Sequence, residues 1–177
     1  MKQLFLLSLL VVTGYACSNG NKQTVQTLNE NWTATNQAVQ RLTNALNDGY
    51  THWQMVQDTM AMPPGSLQKL DVPTRGEVQT LLKNMYGYGR NYIDLGRDCN
   101  VFFKQWEAQK QQLDSVTTVV NYQQKSNLDV PGTIAALQAQ VADANAKVTQ
   151  WTSQIKSLNT KIDADYAAFQ EKTAAIR

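Results

Sequence analysis

Residues 78–120 read VQTLLKNMYGYGRNYIDLGRDCNVFFKQWEAQKQQLDSVTTVV. Mostly apolar residues recur here at alternating spacings of three and four, which places them in a line along one face of a helix. We call such a line a seam, and it is typical of helices that pack side by side along their length. The seam positions are Val78, Leu81, Met85, Tyr88, Tyr92, Leu95, Cys99, Phe102, Trp106, Gln109, Leu113, Val116 and Val120. Because this register never slips, the stretch predicts one long helix over about residues 75–126.

Two other parts of the chain carry the same pattern. One seam runs from Val25 to Met60 and predicts a helix over about 24–60, and another runs from Ile134 to Phe169 and predicts a helix over about 133–175. We see no stretch with the alternating period of a strand. The sequence therefore predicts an all-α domain over 24–177, an antiparallel up-down-up three-helix bundle or coiled coil with long helices.

Proline and glycine mark the connections between these helices. Residues 62–65 read MPPG and residues 129–132 read DVPG, and proline ends a helix because it lacks the backbone donor and clashes with the preceding turn. We expect Pro73 to precede the second helix and Thr133 to cap the third. The second connection is short, which makes helices two and three antiparallel.

The N-terminal residues 1–17, MKQLFLLSLLVVTGYAC, form a processing signal. Lys2 supplies a positive charge, and residues 4–12 are apolar except for Ser8. This run is shorter than the roughly 20 residues that span a bilayer, but it suits the hydrophobic part of a signal peptide. The small residue Ala16 then precedes Cys17.

This segment resembles the signal peptides of bacterial lipoproteins, although Gly14 stands where that pattern usually has leucine. The resemblance implies cleavage of residues 1–16, lipidation of Cys17 with acyl chains such as palmitate, and a lipid-anchored place in the cell envelope. Ser18 after the cysteine implies the outer membrane. Residues 17–23 are then expected to form the lipidated cysteine and a polar tether, roughly 20 Å long when extended. An ordinary secretory signal followed by an unrelated cysteine is the alternative.

Composition and motifs exclude several classes of function. Charged residues make up 17% of the chain, the net charge is +2, and the basic residues are scattered singly, so we expect no nucleic-acid partner. The single histidine, His52, has no further ligands at metal-binding spacing. No nucleophile and base are arranged as a catalytic set. We therefore expect no enzyme, metal or cofactor, and we expect Cys99 to be a small buried hydrophobe.

One candidate site is a layer where Gly49, Tyr88, Tyr92 and Asp165 should lie at the same level of the bundle. Glycine costs roughly 1 kcal/mol against alanine inside a helix, so something must offset the glycines near this layer. Either the glycines make room for tyrosines whose hydroxyls pair with polar seam residues, or the layer is a pocket for a small ligand.

A second candidate site is the loop 61–74. Its apolar residues Met62, Leu67, Leu70 and Val72 suit docking of a protein partner. The alternative is that the loop folds over the end of the bundle as a cap. The solvent exposure of Leu67 and Leu70 discriminates between the two.

These observations predict a membrane-anchored envelope lipoprotein that acts as a non-catalytic structural or protein-interaction module with an envelope protein as partner. The alternative function is a helical bundle that binds a small apolar ligand or acts on membranes. Self-association into a homo-oligomer is compatible with both.

Overall fold

The computed structural model describes residues 18–176 and shows a bundle of three long helices, with no strand among those residues. Helix α1 spans Ser18–Thr59, α2 spans Val72–Tyr122 and α3 spans Val130–Thr173. Short 3-10 turns cover Ser66–Lys69 and Ala174–Ile176. Each long helix packs against the other two. The prediction of an all-α fold is confirmed.

The seam residues form the core. Near the 60–71 loop, one group of buried side chains comprises Leu42, Trp53, Val56, Met60, Leu70, Val78, Met85, Tyr92, Leu95, Cys99, Val148, Ile155, Leu158, Ile162 and Phe169. Toward the 123–129 loop, a second group comprises Val25, Leu28, Trp32, Phe102, Trp106, Leu113, Val116, Val120, Ile134, Leu137, Val141 and Ala144. Burial of such apolar surface is the main free energy that stabilises the fold.

The helix starts differ from the sequence-based bounds because both prolines lie in first turns. α2 begins at Val72 and α3 at Val130, so Pro73 and Pro131 lie near the helix starts, where the missing N–H costs nothing. The expectation that Thr133 caps α3 is wrong: the Asp129 carboxylate accepts from the backbone N–H of Gly132. Asp71 caps α2 in the same way, through the N–H of Thr74.

Two other bounds also differ. α2 ends at Tyr122, four residues early, because Gln123 adopts a left-handed conformation with φ of 51°. Residues 18–23, expected to form a polar tether, are part of helix α1. Six helical residues span about 9 Å, less than half their extended length. Residues 1–17, including the signal segment and Cys17, lie outside the described residues.

Candidate functional site

The structure pairs Gly49 with Tyr92 and Tyr88 with Asp165, one helical turn apart on α2, and we call these four residues the tyrosine layer. A Cβ atom at Gly49 would lie 2.6 Å from the hydroxyl oxygen of Tyr92, so the tyrosine occupies the space that the glycine leaves. The hydroxyl of Tyr88 donates a hydrogen bond to Asp165 Oδ2 at 2.9 Å. Gly49 on α1 and Asp165 on α3 thus each contact a tyrosine of α2.

Two asparagines that the sequence did not single out complete this layer. Asn84 Nδ2 donates to Asp165 Oδ2 at 3.0 Å, and the hydroxyl of Tyr92 donates to Asn159 Oδ1 at 2.7 Å. Asn84 lies one helical turn before Tyr88, on the same face, which is a spacing that could have revealed it. Because the hydroxyls have partners and Tyr92 fills the space at Gly49, the geometry favours packing over a ligand pocket.

Burial shifts the acidity of both tyrosines. Burial, the hydrogen bond to the Asp165 carboxylate and the negative charge of that carboxylate together raise the pKa of Tyr88 to about 12. Burial, helped by the charge of Asp163, raises the pKa of Tyr92 to about 12. Both phenols therefore stay protonated at neutral pH and remain hydrogen-bond donors.

Trp53 lies next to this layer in an arrangement that depends on a second glycine. Its indole Nε1 donates to the backbone oxygen of Met85 at 2.8 Å. A Cβ atom at Gly89 would overlap the Trp53 ring. Gly89 therefore lets the ring lie directly against the backbone of α2, and this close approach explains why a glycine sits inside that helix.

The loop after α1 folds back over the end of the bundle. Leu70 is only 7% exposed, and Met62 and Leu67 are half-buried against the core, whereas Val72 is 77% exposed. Because Leu70 is buried and Leu67 is half-buried, the structure favours a cap over a free docking loop. Of the four residues predicted for partner binding, Val72 alone offers most of its surface to solvent.

Arg75, which the sequence did not single out, holds this cap in place. Its Nε donates to the backbone oxygen of Leu67 at 3.0 Å, and its Nη2 donates to the backbone oxygens of Gln68 and Leu70 at 3.2 and 2.9 Å. The planar guanidinium carries several donors in one fork and so suits a loop that presents three carbonyl oxygens to it. At the same end, Lys172 on α3 pairs with Glu77 on α2.

A cluster of aromatic side chains that the sequence did not predict lies in the half of the bundle toward the 123–129 loop. We call this cluster the tryptophan layer, and it comprises Trp32, Asn36, Phe102, Trp106 and Trp151. The rings of Trp32 and Trp106 stack with centroids 3.8 Å apart and planes 12° from parallel. Trp106 Nε1 donates to Asn36 Oδ1. Phe102 meets Trp151 edge to face, with centroids 5.3 Å apart.

A surface groove of about 540 Å³ runs along α1 and α2 beside this stack. The groove is lined by Trp32, Asn36, Val39, Gln40, Thr43, Phe103, Trp106, Glu107 and Lys110. Its lining combines apolar and aromatic side chains with polar ones, which is the composition of many small-molecule sites. Both tryptophans occupy seam positions, but no signal in the sequence shows that they face each other.

The side chains with the chemistry of nucleophiles or metal ligands are placed as structural elements. Cys99 is 1% exposed, and its burial, with the charge of Asp98, raises its pKa to about 11. His52 Nε2 lies 2.7 Å from Asp163 Oδ1 at the surface. Within residues 18–176, no three His, Cys, Asp or Glu side chains cluster as metal ligands. None of the helices in this range combines the length and the hydropathy of a membrane-spanning helix.

Comparison with known proteins gives no family assignment. No protein-family model, no curated protein and no solved structure matches this chain.

Proposed function

We propose that the chain is a lipid-anchored protein of the bacterial cell envelope that acts as a non-catalytic structural or protein-interaction module. One observation carries the proposal: a charged residue, a run of nine residues that are apolar except for Ser8, and a small residue precede Cys17. A lipid on Cys17 would tie the bundle directly to a membrane, and two or more acyl chains are enough for stable attachment.

The proposed architecture is an antiparallel up-down-up bundle. Contacts between distant residues support it: Asn29 on α1 bonds to Thr117 on α2, whereas Trp53, later on α1, bonds to the earlier Met85. For α1 and α3 the order is the same in both helices, with Thr35 on Asn145 and His52 on Asp163. α1 and α3 therefore run together and α2 runs against them.

Such a bundle is a rod whose length fits a spacer or a presenting surface. At 1.5 Å per residue, helices of 42, 51 and 44 residues are roughly 60–75 Å long. The potential nucleophile Cys99 is buried and protonated at neutral pH, which fits a non-catalytic role. The proposed partner is another envelope protein, and the proposed location is the outer membrane.

Lipid labelling tests the anchor. The full chain is expressed in a lipoprotein-processing bacterium fed an alkyne fatty acid, and the labelled protein is detected in a gel. We expect label in the wild type and in Cys99→Ser, and none in Cys17→Ser. Label retained by Cys17→Ser, or a mature wild-type mass without acyl groups, would refute the anchor.

Photo-crosslinking in the same cells tests the interaction module. A photoreactive residue replaces Val72, an exposed apolar residue at the start of α2 beside the cap, or Gln138, an exposed control on the side of α3. We expect one envelope protein to be captured from position 72 and not from position 138. Capture of the same proteins from both positions would argue against a partner site at the cap and in favour of a spacer.

The groove beside the tryptophan layer supports a second candidate, the binding of a small apolar ligand. Because Trp32 and Trp106 line the groove, a ligand there would change tryptophan fluorescence. We would titrate the protein with a medium-chain fatty acid and repeat the titration with Phe103→Asp. A saturable change that the variant loses would support this function, and an equal response in both proteins would reject it.

A further inference from the structure

The end of the bundle formed by the start of α1 and the α2–α3 loop has a distinct surface. Tyr122, the last residue of α2, is 75% exposed, and Lys125 in the following loop is exposed as well. Leu128 and Val130 are half-buried and complete the apolar part of this surface. Tyrosine and lysine are the residues that proteins place at membrane–water interfaces, because each has an apolar body and a polar tip.

In the proposed architecture this surface lies close to the anchored residue. Asn29 Nδ2 lies 3.0 Å from Thr117 Oγ1, and five residues further toward this end on each helix bring Thr24 level with Tyr122. Ser18 lies six residues beyond Thr24, about 9 Å along the axis. Since the headgroup layer on each side of a bilayer is roughly 5–8 Å thick, a lipid on Cys17 leaves the backbone of Tyr122 just above that layer, and the exposed tyrosine side chain is long enough to reach into it.

The two ends of the bundle also differ in charge. Residues 18–28 contain one charged residue, Lys22, and residues 117–135 contain two, Lys125 and Asp129. The Asp129 carboxylate is engaged as the cap of α3. At the opposite end, residues 58–77 and 165–177 contain five carboxylates and the four cations Lys69, Arg75, Lys172 and Arg177. The side chains of the end near Tyr122 therefore carry one net positive charge, whereas those of the opposite end carry one net negative charge. Anionic lipid repels the first end less than the second.

We propose that this end is a membrane-contact surface that rests on phospholipid headgroups through Tyr122 and Lys125 and holds the rod upright on the bilayer. The inference rests on the proposed lipid anchor, but it adds a second contact beyond the acyl chains. A contact at one end restricts the tilt of the rod, so the 60–71 cap is held far from the membrane.

Fluorescence quenching tests the contact. The acylated full chain carrying Cys99→Ser is reconstituted into vesicles of phosphatidylethanolamine and phosphatidylglycerol, some with a nitroxide on the headgroup. An environment-sensitive dye is attached at Gln124→Cys, beside Tyr122, or at the matched exposed position Gln68→Cys in the cap. We expect several-fold stronger quenching at position 124, and a marked loss of that quenching when Tyr122→Ser is added.

Three results would overturn the contact while leaving the anchor intact: equal quenching at both positions, no quenching at either on protein that floats with the vesicles, or no effect of Tyr122→Ser. The first would mean that the rod lies flat, and the second that it is held off the surface. Failure to float with the vesicles would instead refute the lipid anchor, and the inference with it.

Discussion

The tryptophan layer and the tyrosine layer both place large aromatic side chains in the seam of the same bundle, but they accommodate them differently. In the tyrosine layer Gly49 leaves room for Tyr92, and beside the layer Gly89 leaves room for Trp53. In the tryptophan layer, Trp32 and Trp106 stack on each other, and a groove opens beside them. A large aromatic residue in a helix seam is thus accommodated in one of two ways. Either a glycine on the facing helix leaves room for it, or a second aromatic ring stacks on it.

Truncation of the stack should have the largest effect. Trp106→Ala removes a ring that is 5% exposed, its stacking on Trp32 and its bond to Asn36, and we expect a loss of about 3–5 kcal/mol in the free energy of unfolding. Trp151→Ala, at a half-buried position in the same layer, is the control and should cost less. Urea unfolding followed by circular dichroism measures both, and equal losses would contradict a specific role for the stack.

Filling a glycine space should have the next largest effect. Gly89→Ala forces a methyl group into the Trp53 ring, and we expect a net destabilisation of about 1–2 kcal/mol, since overpacking outweighs the gain in helix propensity. Gly87→Ala is the matched control, because a Cβ atom there meets nothing within 4 Å. That control should be about 0.5–1 kcal/mol more stable than wild type. Thermal unfolding compares them, and stabilisation by both substitutions would show that Trp53 adapts freely.

The smallest effect should appear in alkaline solution. The pKa of Tyr88 is raised from 10 to about 12 in the folded state, so its contribution to stability is complete below about pH 10 and is lost as the pH rises toward 12. Tyr92 adds to this loss, and the raised pKa of Cys99 adds to it from about pH 9. Unfolding midpoints in urea should therefore fall over this range.

Substitution of the tyrosines isolates this contribution. In Tyr88→Phe the midpoint should fall less steeply with pH than in wild type, because one ionisation of the unfolded chain is removed. Tyr86→Phe, at an exposed position two residues away, is the control and should follow wild type. Identical slopes for all three proteins would show that Tyr88 is not held in its protonated form by the fold.

Much of the fold was predictable because the seam pattern extends over most of the chain. The three helices and the burial of Met85, Tyr92 and Cys99 follow from spacing alone. The helix ends were less predictable. Pro73 and Pro131 fit a first helical turn as well as a position before it, and the capping aspartates decide between the two.

The candidate site residues were only partly predictable. Counting along the helices brought Gly49, Tyr88, Tyr92 and Asp165 to one layer, but it did not show that Asn159 binds Tyr92 or that Trp53 lies on Gly89. Similarly, the apolar loop residues indicated a surface of interest, whereas their burial depends on Arg75 and its three carbonyl partners. Pairing between distant residues depends on the rotation of each helix, which spacing fixes only approximately.

The sequence by itself determined the three helices and their apolar seams, because helical periodicity is a property of neighbouring residues. Only the tertiary structure decided that the loop is a cap, that Tyr92 fills the space at Gly49, and that two tryptophans 74 positions apart stack beside a groove. Those outcomes depend on close packing between residues far apart in the chain, where a shift of about one methyl group already changes which contacts form.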